Sequence, residues 1–217
     1  MSNMNTVITE PKEAPPMAEG APFEQSTLAY GGCGTPILKP NAAYLAATTK
    51  MDISELPYGS IHDYITDGDV KIHFSTPLEK RGPVPLGWAT WSSPPYSESP
   101  TPDVLVSSQS CLTMDLSEPV VTFGFELEPN HFDTLSYRAD FFYGEDLVDS
   151  ITRDIAGFAG ARLLARTGDP IDRVVVSGED SFAIAQVRLQ QTVQDRQKTV
   201  LIAGTLLALT GVIPLIL

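Results

Sequence analysis

Apolar and polar side chains alternate through most of the middle of this chain. In DVKIHFS, Val70, Ile72 and Phe74 fall on one face of an extended backbone, with Lys71, His73 and Ser75 on the other. That period of two belongs to a half-buried strand. CLTMDLS repeats it with Leu112, Met114 and Leu116. KMDISEL, DVLVSS, VVTFGFELE, LSYRADFFY, DLVDSITRDI, ARLLART, DRVVVSG and FAIAQVRLQ also read as strands, being short, β-branched or aromatic, and bounded by turn residues. The connections TDGD at 66–69, YGED at 143–146 and SGED at 177–180 place Gly and Asp where tight antiparallel turns need them. About ten strands without helical crossovers predict an all-β fold, an antiparallel β-sandwich or jelly roll.

The pattern also sets boundaries. Residues 1–43 read as a disordered or irregular N-terminal arm, rich in Pro, Glu and Ala and too poor in large apolar side chains to offset the entropy of ordering. Residues 44–190 form the expected sandwich domain. Within it, RGPVPLGWATWSSPPYSESPTPD carries prolines at 83, 85, 94, 95, 100 and 102 and both tryptophans, which predicts a long loop from Arg81 to Asp103. After Leu189 the period changes. Residues 191–217 read as a C-terminal helix, polar at first and then, from Thr199 to Leu217, without a single charge.

Composition narrows the partners. With 27 acidic against 14 basic residues, the chain has a formal net charge of -13 and no basic run. Nucleic acid is therefore not an expected partner, because phosphate binding needs clustered Lys and Arg. Anionic lipid headgroups would be repelled as well, so membrane attachment must come from apolar burial. The N-terminus has no basic segment followed by an apolar core, and a secretory signal peptide is not expected. Cys33 and Cys111 lack the Cys/His spacing of a zinc site. Two free thiols and a single bridge in an oxidising compartment both remain open.

Candidate chemistry is sparse. His62, His73 and His131 lie on separate segments, and no signal brings them together. Glu126 and Glu128, two apart in FELEP, share one strand face. Paired carboxylates can serve as general acid and base or as calcium ligands, but an antiparallel sheet predicts a solvated outer face for them. Glycosidase work fits poorly, since both groups would sit on one side of a ligand. Asp67 and Asp69 flank Gly68 in a fragment of a calcium-loop composition, so a structural calcium is the one cofactor suggested, and a plain turn explains the same residues. No serine sits in a G-x-S-x-G elbow. Trp88, Trp91 and Tyr96 cluster in the proline-rich loop, either as a platform that stacks on sugar rings or as plugs buried where the loop crosses the sheet.

The GFELEPN strand end, the ADFF hairpin arm, the Gly-rich turn before ARLLA and the DRVVVSG…FAIAQ closing pair fall between Phe123 and Leu189. In these features the chain resembles the β-sandwich domain of exosortase-sorted (PEP-CTERM) bacterial surface proteins and related bacterial proteins. The resemblance implies a sandwich fold and an association with bacterial envelopes or surfaces. It brings no catalytic residues.

As a helix, Thr199 to Leu217 would extend about 28 Å, close to the roughly 30 Å of a bilayer's hydrocarbon core, so a membrane anchor is expected, with a tail packed against the sandwich or a partner as the alternative and a cleaved signal third. Its polar side chains are threonines, which bond back to helix carbonyls. Gly204, Ala208 and Gly211 form a small-residue stripe suited to helix–helix contact and hence to a homo-oligomer. Arg188, Arg196 and Lys198 precede the tail, which on the positive-inside rule keeps the domain cytoplasmic, whereas the family resemblance places it outside. The expectation is a non-enzymatic, membrane- or envelope-associated β-sandwich with a structural or adhesive role. The alternative is a carbohydrate-binding module, and a hydrolase ranks third. A polysaccharide or a protein is the expected further partner.

Overall fold

The computed structural model describes residues 34–191. The N-terminal residues 1–33, with Cys33, and the tail from 192, with Gly204, Ala208 and Gly211, lie outside the described residues.

The described residues are all-β and antiparallel. Ten strands run β1 (Thr35–Ile37), β2 (Thr49–Lys50), β3 (Ile61–Thr66), β4 (Lys71–Arg81), β5 (Val104–Ser107), β6 (Cys111–Pro129), β7 (Thr134–Tyr143), β8 (Asp146–Ala156), β9 (Arg162–Gly178) and β10 (Phe182–Gln191). One short helix, α1 (Ala42–Ala47), sits between β1 and β2, with Asn41 capping it through Oδ1, which accepts from the Tyr44 N–H at 2.9 Å. The alternating runs fall on strands as expected, and the three Gly/Asp turns join β3 to β4, β7 to β8 and β9 to β10.

Four details differ from the pattern reading. Ordered structure starts before Tyr44, because β1 pairs with β9 through Thr35↔Thr167 and Ile37↔Ala165. KMDISEL contributes only Lys50 to a strand and then turns. The run IHDYIT forms β3, paired to β4, despite a mostly exposed surface. Finally, CLTMDLS and VVTFGFELE are one strand of 19 residues, and ARLLART and DRVVVSG are one of 17.

Those two long strands organise everything else. β6 pairs with β4 through Ile72–Phe74 at its N-terminal half and with β10 at its C-terminal half, while β9 follows β6 along both halves. The register between β6 and β9 shifts twice, between Asp115 and Val120 and again between Val120 and Thr122. A bulge adds residues to one strand and so changes which parity faces inward. Before the shift, Leu112, Met114 and Leu116 enter the main core; after it, Phe123, Phe125 and Leu127 do. β10 makes the same switch at Gln186, whose φ is 50°: Phe182 and Ile184 face the core before it, Val187 and Leu189 after it.

Beyond the shift β6 is buried on both faces, continuously from Thr122 to Pro129. Its second face, carrying Gly124, Glu126 and Glu128, is covered by two pieces of chain. The proline-rich loop forms one cluster there, with Val84, Trp88 and Trp91 against Val104, Ala161, Ala183 and Ala185. The helix forms the other, with Tyr44 against Leu163 and Ala165. The loop is a hairpin insertion whose base is closed by β4–β5 pairing through Glu79↔Val106 and Arg81↔Val104. The buried Lys80 Nζ reinforces that base by donating to Asp103 Oδ1 at 2.7 Å.

Gly124 lies opposite Ala165 and beneath Tyr44, and a Cβ there would run into the Ala165 side chain and the Tyr44 hydroxyl. Gly124→Val should therefore lower the free energy of unfolding by about 1–3 kcal/mol through overpacking, read as a lower urea midpoint at unchanged slope. An unchanged midpoint would show that α1 does not seat on β6.

Candidate functional site

The most concentrated polar chemistry in the described residues lies under the proline-rich loop. Glu126 and Glu128 are fully buried, not on the solvated face the sequence predicts for them. An uncompensated carboxylate there would be costly, so its partners define the structure around it. Each glutamate holds one tryptophan. The Trp88 indole Nε1–H donates to Glu128 Oε2 at 2.7 Å, and the Trp91 Nε1–H to Glu126 Oε2 at 2.8 Å. Backbone donors complete the set: Glu98 N–H to Glu126 Oε1 at 2.7 Å and Gly160 N–H to Glu128 Oε1 at 3.1 Å. The Thr90 hydroxyl adds longer bonds of 3.3 Å to both Glu128 oxygens.

Local sequence explains the fit. Glu126 and Glu128 stand opposite Ala185 and Ala183 of β10, whose small side chains leave room for two indoles above the sheet. The loop crosses the strand in the opposite sense, so that the earlier indole meets the later carboxylate, Trp88 with Glu128 and Trp91 with Glu126. Glu98 extends the network by a bidentate pair with Arg188 on β10, at 2.6 and 2.9 Å, and Arg188 also donates to the Thr48 carbonyl at 3.1 Å. Arg162 of β9 donates to Ser92 Oγ at 3.1 Å, and Ser92 donates in turn to the Ala159 carbonyl at 3.1 Å.

This geometry decides the role of the aromatic cluster. Trp88 and Trp91 are 7% and 4% exposed, so their ring faces are closed to a sugar. Tyr96 is half-buried, and its ring already carries Lys39 Nζ at 4.8 Å and the Arg162 guanidinium at 4.5 Å. The three residues thus do not form an open stacking platform, and the tryptophans act as plugs. Asp67 and Asp69 sit in the β3–β4 turn, where Asp67 Oδ1 accepts from the Asp69 and Val70 N–H groups at 3.1 and 2.9 Å. Among the described residues no group of three His, Cys, Asp or Glu side chains is arranged to hold a metal ion. His73 lies on the exposed side of β4, His62 bonds Ser60 Oγ at 2.6 Å, and His131 lies exposed in the β6–β7 turn, so the three do not converge. Cys111 is exposed with a free thiol.

Sequence reading missed the loop end beside this network. Phe132, in the β6–β7 turn, and Phe158, between β8 and β9, are 70% and 64% exposed, with ring centroids 6.2 Å apart. Phe132 lines a cleft of about 110 Å³ together with Arg81, Thr90 and Asn130, with Trp88 and Glu128 also on its walls, and Phe158 stands against Phe132 beside it. Single phenylalanines in PNHFD and AGFAG carry no sequence signal, because their pairing depends on two turns meeting in space.

No family model and no curated protein matches the chain. Among solved structures, the bacteriophage CBA120 tailspike protein 4 enzymatically active domain is similar at 14% identity, with a TM-score of 0.29, over 57% of this chain and 19% of that one. The chain therefore spans about a fifth of that tailspike domain's length.

The electrostatics give the network a pH signature. Burial pushes the Glu126 carboxyl up to about 8, against the Trp91 and Glu98 N–H donors that pull it down; the Glu98 carboxylate raises it further and Arg188 lowers it. Burial also raises Glu128, with the Trp88, Gly160 and Thr90 donors opposing. An unfolded glutamate titrates near 4.3, so between that value and about 8 the folded state binds the extra proton. The resulting stabilisation is complete below the unfolded value and is lost as pH rises through the folded one. Stability should therefore fall from pH 5 to pH 8, by up to about tenfold in the folded-to-unfolded ratio per pH unit. Glu126→Gln should flatten that slope, and an equally steep slope in the variant would assign the effect elsewhere. Trp91→Phe, which keeps the ring but removes the donor, should cost about 1–3 kcal/mol in urea denaturation. A loss below about 0.5 kcal/mol would show that the indole–carboxylate bond holds little.

Proposed function

We propose that this chain is a non-enzymatic β-sandwich module with a structural or adhesive role, attached to a membrane or envelope through its apolar tail. One observation carries the non-enzymatic part. The only paired carboxylates that sequence reading singles out for acid–base work have every oxygen engaged by donors from the loop and the strand ends that they hold down. A general acid or base needs a free approach to a substrate proton, and these groups are instead consumed in closing the fold.

Attachment is supported by the sequence of residues 199–217, uncharged over a length matched to a hydrocarbon core. No helix among the described residues is long and apolar enough to cross a membrane, and the tail lies outside them. The domain's last strand ends at Gln191, and the polar stretch up to Lys198 then separates it from the tail. The resemblance to exosortase-sorted surface proteins agrees with an envelope setting.

Alkaline-carbonate fractionation of cells expressing the full chain and a version ending at Lys198 tests this reading. The full chain should remain in the membrane pellet and the shortened one should leave it, with protease added to intact cells reporting which side the domain faces. Both versions in the supernatant would overturn attachment.

A further inference from the structure

The network that seats the proline-rich loop also fixes the loop end beside it. Gly157 is clamped against the β6–β7 turn: its N–H donates to the Asp133 carbonyl at 3.1 Å, and a Cβ there would collide with the His131 carbonyl. Two residues on, Ala159 has a φ of 51°, a left-handed conformation that a non-glycine residue adopts only when its surroundings over-determine it. Here they do. Its N–H donates to Thr90 Oγ1 at 3.1 Å, its carbonyl accepts from Ser92, and the next N–H, of Gly160, reaches Glu128. Phe158 is held between these two anchors, and Phe132 stands in the turn to which Gly157 is bound.

Single exposed apolar residues are ordinary on protein surfaces. Two exposed phenylalanines in contact, Phe158 on a segment tied to a buried carboxylate and Phe132 on the wall of a polar-lined cleft, form a pre-organised surface. We propose that this cleft and the Phe132–Phe158 pair form a binding site for a neutral polysaccharide chain. A pyranose presents a face of C–H groups and a rim of hydroxyls. The phenylalanines supply an apolar surface for the first, and Arg81 and Asn130 on the cleft wall supply polar partners for the second. The net charge of -13 disfavours an anionic sugar or lipid, which selects a neutral glycan. The site deepens the adhesive reading above, naming the class of ligand to which such a module would adhere.

Native gels containing soluble mixed-linkage β-glucan, xylan, galactomannan or dextran, with alginate as an anionic control, test the assignment on the full chain in mild detergent. At least one neutral polymer should retard the protein while alginate does not. Phe132→Ala and Phe158→Ala should each weaken that retardation at least tenfold, and their thermal unfolding should remain at the parent temperature because both rings are exposed. A chain retarded by none of the four, or variants retarded as strongly as the parent, overturns the site. Membrane fractionation is an independent readout. Retention in the membrane pellet without retardation leaves the attachment reading standing and removes this one.

Discussion

Two indole N–H groups bonded to two buried carboxylates hold this molecule's second layer in place. Ionised or protonated, a carboxyl group under a protein loop loses its water, and only well-placed donors make its burial tolerable. Trp88 and Trp91 supply those donors together with the apolar area that seals them. The dependence is mutual: without the glutamates the indoles would bury unmatched N–H groups, and without the indoles the loop would leave two carboxyls under a partly dry surface. Lys80 with Asp103 at the loop's base and Arg188 with Glu98 at its far side extend this arrangement from a pair of bonds to a seam along β4, β6 and β10.

The seam exists because β6 changes parity midway. A strand of an ordinary two-layer sandwich carries one apolar face and one solvated face. In β6 that holds from Cys111 to the register shift, and beyond it both faces are buried, one by the main core and the other by the loop and helix. The shift lets one long strand serve β4 and the β7–β8 side at one end and β10 at the other. A chain inserted between paired β4 and β5 then lies directly over the second face, where Ala183 and Ala185 keep the surface low enough to receive it, as Gly124 does for the helix.

The all-β class and the alternation in β4 and the first half of β6 are legible from period alone, because those residues obey a single-face rule. The burial of Glu126 and Glu128 is not, since the indoles that cover them lie 35 to 40 residues earlier in the chain. VVTFGFELEP nevertheless carries a hint, being apolar on both parities apart from Thr122 and the two glutamates, which is how a doubly buried strand reads. Read with W-x-x-W in a proline-rich loop and A-x-A on the neighbouring strand, it points to the plug over the platform for the tryptophans. KMDISEL failed as a strand because Asp52 accepts the Ser54 N–H and turns the chain, a local bond that competes with sheet pairing. The Phe132–Phe158 surface leaves no trace in either turn alone.

The seat of the loop on β6 depends on the indole protons being buried and bonded, and hydrogen exchange followed by NMR observes them directly. The two Nε1–H resonances should exchange with solvent only through opening of the loop or of the whole domain, orders of magnitude slower than a free indole at the same pH. Both should slow or quicken together with the Glu98 and Gly160 amides that share the carboxylates. Exchange of either indole proton at the free rate would contradict the account, because a tryptophan open to water cannot be what holds the loop on β6.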